Sequence, residues 1–228
     1  MGRRSFLKTS ALAGGGMMIG FSWLTSHLSE AKAELTMPPD WFDLNGFLKI
    51  SENGVITIMS PNPEGGQNVK TSMPMIVAEE LDIDWKNVIV EQADFYPERF
   101  ERQFTGGSQG IRLGWKPLRT AGATARQMLV NAAAQTWNVP AAEITTEAGT
   151  LHHKLSGKKA GYGEMASLAA TLPVPKEVEL KTVKDFKIIG TSRKNVDGTK
   201  IVTGKPLFGM DYDKEGMLIA MIAHPPAF

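Results

Sequence analysis

The 228-residue sequence contains no cysteine. That absence excludes disulfides, Cys-ligated zinc, iron–sulfur ligation by this chain and a thiol nucleophile. An excess of one charge is missing too: 25 Lys+Arg stand against 24 Asp+Glu, a formal net of +1, which gives no electrostatic case for nucleic acid, a partner that usually demands a basic face. Long apolar runs are short as well. The charge-free stretch over residues 11–24 has fourteen positions, several of them glycine, against the ~20 needed to span a bilayer. Neither a Walker spacing nor a dinucleotide fingerprint occurs, no internal repeat is visible, and no histidines have ligand spacing. What remains is 42% apolar residues, enough for a packed globular protein of one large domain or two small ones.

The first residues read as an address. Arg3-Arg4-Ser5-Phe6-Leu7-Lys8 precedes the apolar, glycine-rich stretch, and Ala31-Lys32-Ala33 offers a small-x-small cleavage site. Together they resemble a twin-arginine export signal over residues 1–33, with an uncleaved anchor as the alternative. Its removal leaves 21 positive and 23 negative residues, a net of −2. The expected location is the periplasm or the periplasmic face of the inner membrane. That route carries folded proteins, commonly with a cofactor already loaded, which raises the expectation of one here.

Residues 35–43 read as an irregular lead-in. Residues 46–51 and 55–60 alternate around Glu52-Asn53-Gly54 and predict a hairpin with an Asn-Gly turn. Helical periodicity runs through Val69, Met73, Ile76, Val77 and Leu81, and residues 87–93 form a short strand. A long helix spans about 113–137, its ordered start placed near Trp115 or Lys116 because Pro117 is tolerated in a first turn. A second hairpin turns at Ala148-Gly149, and residues 162–172 form a short helix ended by Pro173-Val174-Pro175. That Pro-Val-Pro stretch is the expected domain boundary. Residues 201–202, 207–210 and 217–223 read as strands beyond it, and an end at Phe228 just after a strand reads as part of a longer protein or of a split one.

Two glycine loops could carry chemistry. Gly65-Gly66-Gln67-Asn68 lies between a strand and a helix, where backbone amides and the helix dipole favour an anion. A tight strand-to-helix turn requires glycine anyway. Thr105-Gly106-Gly107-Ser108-Gln109-Gly110 precedes the long helix and could wrap a second phosphate or a pterin edge. It also matches Gly-x-Ser-x-Gly, but the stretch before Ser108 is too polar for the central strand of a nucleophile elbow. A triad there would need His152, His153 or His224 as base. Arg112, Arg119 and Arg126 recur every seven residues and read as a solvated stripe, with Arg112 near enough to the second loop to meet a phosphate. His152 and His153, adjacent in a strand, point to opposite faces and cannot share a metal. Glu79 and Glu80 read as solvated charges, and Met73, Met75, Trp115 and Trp137 as core.

The order of these motifs resembles a family. Glu64-Gly65-Gly66-Gln67-Asn68 with Ala78-Glu79-Glu80-Leu81-Asp82-Ile83 is similar to the glycine loop and helix of molybdenum hydroxylases, the xanthine dehydrogenase and aldehyde oxidoreductase superfamily. Val88-Ile89-Val90-Glu91-Gln92-Ala93-Asp94 and Thr105-Gly106-Gly107-Ser108 resemble its next strand and second pterin loop. Trp115-Lys116-Pro117-Leu118-Arg119-Thr120-Ala121-Gly122-Ala123 looks like the exported isoquinoline 1-oxidoreductase beta-subunit branch, and residues 197–211 with 216–220 are similar to the family's α/β hammerhead domain.

The resemblance implies an α+β fold: a molybdopterin-binding subdomain over residues 34–172 (hairpin, helix, strand, long helix), then the start of the hammerhead domain over 173–228. It implies molybdenum–molybdopterin, as the cytosine dinucleotide, shared with a downstream part. Within the cofactor-binding loop Gly65, Gly66, Gln67 and Asn68, Gly66 and Gln67 fall at the pterin dithiolene or metal end; Thr105, Gly106, Gly107, Ser108 and Gln109 fall at the phosphates, and Arg112 joins them as a cofactor-binding residue by its position beside that loop. Asn68 stands where many relatives have a second glycine. The family's catalytic glutamate lies beyond Phe228, and no residue here inherits it. The implied reaction hydroxylates an N-heterocycle or aldehyde with oxygen from water. Electrons would pass to a small 2Fe-2S subunit and onward to a cytochrome c, with the remainder of the large subunit or a second chain as further partner. A non-enzymatic exported binding or assembly subunit and a serine hydrolase using Ser108 stand as alternatives.

Overall fold

In the computed structural model, residues 17–20, 46–51, 54–98, 100, 102–224 and 226 are described. Arg3, Arg4, the Ala31-Lys32-Ala33 site, the 35–43 lead-in and Asn53 of the expected turn lie outside them.

Four strands form the first sheet in the order β1 (Met17–Gly20), β2 (Gly46–Ile50), β3 (Ile56–Ser60), β4 (Val88–Gln92). β1 and β3 flank β2 antiparallel, and β4 joins β3 in parallel. The β2–β3 hairpin appears where alternation placed it, closed by the Ser51 amide and hydroxyl donating to the Val55 carbonyl. Ile56, Ile58 and Ser60 share the buried face of β3, as period two requires. The parallel β3–β4 pair is joined through helix α1 (Val69–Leu81), the crossover that parallel strands need. Phe47 on β2 packs edge-on to Phe100, ring centroids 5.0 Å apart.

Helix α2 (Gly110–Trp137) lies against α1. Its alanines at 121, 125, 132 and 133 are fully buried, and Gly122 sets the closest approach. A Cβ added there would stand 2.3 Å from the Val77 carbonyl oxygen and 3.2 Å from the Leu81 amide nitrogen. The helix begins at Gly110, earlier than Pro117 suggested. Pro117 withholds an N–H from the carbonyl of Leu113, a residue 45% exposed, where water can replace the donor. Both helices end on left-handed caps, Asp82 (φ 60°) and Asn138 (φ 53°).

A second sheet, β5 (Ile144–Glu147), β6 (Thr150–His153) and β7 (Lys158–Gly161), is antiparallel throughout and leads into α3 (Tyr162–Thr171). The sequence signalled its first two strands; Lys158-Lys159 masked the third. The architecture is α+β, as the sequence implied.

The first compact unit extends to Arg193. Residues 179–189 form a strap over the two long helices, held by carboxylates read from sequence as solvated. Glu79 and Glu80 are 1% and 0% exposed. Glu79 Oε2 accepts three consecutive amides, those of Lys187, Ile188 and Ile189, at 2.6–2.9 Å, while Oε1 faces Lys181 Nζ at 3.2 Å. Glu80 Oε1 accepts from Arg119 Nε at 2.6 Å and Oε2 from the Lys181 amide at 3.0 Å, with Arg126 at 4.0 Å. Arg119 and Arg126 also donate to the strap carbonyls of Lys181 and Glu179. The Arg119 guanidinium lies 5.3 Å from the ring centroids of both Trp115 and Phe186. These two arginines are therefore structural partners, not a solvated stripe.

Asp82 completes the junction. Its carboxylate accepts from Lys181 Nζ at 2.7 Å and Thr146 Oγ1 at 2.7 Å, and its carbonyl from the Gly149 amide at 2.9 Å. Burial pushes its carboxyl up, but the Lys181 and Thr146 hydrogen bonds and the lysine charges outweigh that and hold it below its ordinary 3.8. Tyr162 donates to the Leu81 carbonyl at 2.8 Å, and burial, with the Asp82 charge, pushes its phenol far up.

In the second unit, Lys194–Phe228, the expected strands are absent among the described residues. Residues Gly198–Val202 form a short helix α4, and Gly209–Asp211 a 3-10 turn whose Asp211 accepts the amides of Leu207 and Phe208. Residues 217–223 form no ladder, with Leu218, Ile219, Met221 and Ile222 at least 84% exposed. Apolar alternation becomes a strand only when a neighbouring backbone pairs with it, and no described segment does so here.

Two outcomes follow. Gly122→Ala forces α1 and α2 apart and should lower the unfolding free energy by about 1–3 kcal/mol in urea titration. Because the folded value of Asp82 is lowered, its contribution is complete above 3.8 and is lost as the pH falls through the folded value. Unfolding free energy measured against pH should decline over that acid limb, and Asp82→Asn should flatten it.

Candidate functional site

The parallel pairing of β3 with β4 puts the carboxyl ends of the two strands side by side, Ser60 opposite Gln92. The glycine loops that follow them, residues 61–68 and 93–109, therefore leave the sheet at one place. Side-chain amides tie them together. Gln92 Nε2 donates to the carbonyls of Ser60 (2.9 Å) and Asn62 (3.0 Å), and Gln103 Nε2 to those of Pro61 (3.2 Å) and Asp94 (2.7 Å). Buried Asn62 donates to the Phe104 carbonyl at 3.0 Å. Thr105 Oγ1 donates to the Pro63 carbonyl at 2.7 Å, and Gln67 Nε2 lies 3.2 Å from that carbonyl and 3.5 Å from Thr105 Oγ1. The two loops singled out from the sequence thus form one surface.

Their helix N-termini are not equivalent. At α1 the amides of Gly65, Gly66, Asn68 and Lys70 are already satisfied. Glu64 Oε1 accepts from Gly66 (2.7 Å) and Asn68 (2.9 Å), Oε2 from Lys70 (2.9 Å), and Gln67 Oε1 accepts from Gly65 (2.7 Å). An intramolecular carboxylate thus holds the place where an anion was expected. At α2 the situation is reversed. Gly107 (φ 61°) and Ser108 (φ 54°) are left-handed and Gln109 right-handed, a succession that turns neighbouring N–H groups to one side. No side chain caps the helix, and the amides of Gly110, Ile111 and Arg112 have no hydrogen-bond partner among the described residues. A Cβ at Gly106 would stand 2.6 Å from the Phe104 ring, so that exposed ring would have to shift.

Beside this N-terminus lies a cavity of about 340 Å³ whose lining includes Asn62, Met73, Arg102, Gln109, Leu113 and Leu118. Arg102 was missed in the sequence. Its Nη1 donates to Gln109 Oε1 at 2.8 Å, and its guanidinium stands 5.1 Å from the Phe104 ring centroid. The only local signal was a cation two residues before Phe104. Arg112 is exposed, with no partner among the described residues. Two buried oxygens, Asn68 Oδ1 and Ser60 Oγ, also have none.

Ser108 follows a long irregular segment, since β4 ends at Gln92, and no described histidine bonds to it. The strand–turn–helix of a nucleophile elbow is not formed there. His153 is instead engaged by Glu143 and Ser156. Among the described residues no group of three acids or histidines could hold a metal, and no helix is long and apolar enough to cross a membrane.

Replacing the Glu64 carboxylate exposes the α1 amides it covers. Glu64→Ala should cost about 0.5–2 kcal/mol in thermal or urea unfolding, and amide exchange at Gly66 and Asn68 should quicken.

The model of the molybdopterin cofactor-binding domain matches residues 11–209. The beta subunit of isoquinoline 1-oxidoreductase from Brevundimonas diminuta is 31% identical over 224 residues, covering 80% of this chain and 28% of that protein. The membrane-bound aldehyde dehydrogenase [pyrroloquinoline-quinone] of Gluconacetobacter polyoxogenes is 28% identical, covering 99% of this chain and 30% of that protein. Among solved structures, quinoline 2-oxidoreductase from Pseudomonas putida 86 superposes with a TM-score of 0.44 at 19% identity, over 54% of this chain and 16% of that one. The chain therefore spans less than a third of the length of these curated relatives. With that match across most of its length, the chain belongs to the molybdopterin cofactor-binding domain family.

Proposed function

We propose that this chain is the cofactor-binding portion of the large catalytic subunit of an exported molybdenum hydroxylase acting on an N-heterocycle or an aldehyde. The carrying observation is the uncapped N-terminus of α2, with unpartnered amides and Arg102 beside a cavity. Such a set suits a phosphate, because the amides and helix dipole favour negative charge and the guanidinium adds charge-assisted bonds. Molybdopterin, as its cytosine dinucleotide, supplies when bound the metal centre that hydroxylates substrate carbon with oxygen drawn from water.

Thr105, Gly106, Gly107, Ser108 and Gln109 hold the dinucleotide's phosphates through backbone and hydroxyl donors, and Arg102 and Arg112 balance the charge. Gly65, Gly66, Gln67 and Asn68 contact the pterin end. Their role is steric and orienting, since Glu64 already holds the local amides. The catalytic base comes from the remainder of the large subunit or a second chain. With no cysteine here, iron–sulfur clusters reside on a small 2Fe-2S subunit that passes electrons to a cytochrome c. Residues 173–228 begin the α/β hammerhead domain. Arg3-Arg4 directs twin-arginine export to the periplasm, and cleavage after Ala33 would remove β1 and leave β2 at the sheet edge.

The test is the molybdenum and cytosine nucleotide content of the complete complex, by elemental mass spectrometry and by nucleotide released on acid hydrolysis. Near-stoichiometric amounts of both are expected, and Arg102→Gln should lower retention on dialysis about tenfold or more, the loss of a charge-assisted bond. A folded, complete complex with neither overturns the reading in favour of a non-enzymatic binding subunit.

A further inference from the structure

Away from the glycine loops, the small sheet assembles a carboxylate, an imidazole and a hydroxyl. Glu143 ends the 3-10 turn before β5, His153 ends β6, and Ser156 lies in the turn between β6 and β7. His153 Nε2 is 2.8 Å from Glu143 Oε2, and Nδ1 is 2.6 Å from Ser156 Oγ.

Chemistry dictates the polarity of this chain. An ionised carboxylate only accepts, so the Nε2 proton faces Glu143. A neutral imidazole then carries its lone pair on Nδ1, and the Ser156 hydroxyl must donate to it. A nucleophile touching a base that is oriented by a third group is the general arrangement for activating a hydroxyl. Compared with serine hydrolases the two ring nitrogens are exchanged, but the proton moves in the same direction. The ladder fixes the ring: His153 is 4% exposed and pairs across the strands with Ile144 and Lys158. Ser156 is exposed, so an electrophile can reach it from solvent.

We propose that Ser156 is a base-activated nucleophile that takes an acyl group from small activated esters, a site separate from the cofactor loops and independent of the molybdenum reading. Ser156 Oγ bonds to the ester carbonyl carbon while its proton passes to His153 Nδ1. The bond from that carbon to the leaving oxygen then breaks, and the proton is returned to the departing alcohol. The turn is open, so the product is a stoichiometric acyl-serine rather than rapid turnover.

The full chain is incubated with p-nitrophenyl acetate, and serine adducts are mapped by peptide mass spectrometry over time. Selective acetylation of Ser156 is expected. Ser156→Ala should abolish the adduct, and His153→Gln should slow it about 100-fold or more, the scale of general-base assistance. Should His153→Gln fail to fold, judged by circular dichroism, Glu143→Gln provides the second reading, since an amide no longer imposes the tautomer and should also slow the adduct. Equal acetylation of exposed serines, an adduct at Ser108 in place of Ser156, or variants reacting at the wild-type rate would each overturn the proposal.

Discussion

The structure depends on burying three carboxylates at the C-terminal end of α1. Glu79, Glu80 and Asp82 leave water where α1, α2, the second sheet and the 179–189 strap meet. Removing charge from water is costly unless each lone pair finds a donor, and here all three acids bind the strap while Glu80 and Asp82 each bring in a further element. Glu79 takes the strap's backbone, Glu80 takes α2 through Arg119, and Asp82 takes the second sheet through Thr146 and the strap through Lys181. The cluster acts as a mortise between elements far apart in sequence. Gly122 belongs to the same constraint, because only a residue without Cβ lets α2 approach Val77 and Leu81 closely enough for Arg119 to reach Glu80.

With that end locked, the opposite ends of the helices are free to serve a site. Parallel pairing of β3 and β4 delivers both glycine loops to one edge, the place where open α/β sheets place ligands. Glutamine and asparagine side chains crosslink the loops at little cost in charge. The loops then divide the labour. Glu64 neutralises the α1 terminus internally, whereas the α2 terminus keeps its amides for an external anion. Two motifs with the same glycine-rich appearance thus differ in electrostatic character because one of them carries an acid.

Local pattern was enough for the hairpins at Gly54 and Gly149, for α1 and for β4, since period and turn chemistry act within a few residues. It was not enough where a charge found a distant partner. Glu80 and Arg119 stand on different helices, and neither period nor spacing announces that they meet. The same holds for Arg102, whose role rests on Gln109 and Phe104, and for His153, whose ring joins a strand to a turn and to the residue before β5. Residues 217–223 show the converse: a strand-like pattern that stays irregular for want of a paired backbone.

The sequence by itself determined the α+β class, the two glycine loops and the family they resemble, because glycine placement and apolar period are read locally along the chain. Tertiary structure alone decided which charges are buried, which helix terminus stays open and which side chains converge. Those outcomes depend on desolvation and on hydrogen-bond geometry between residues brought together from as many as 110 positions apart.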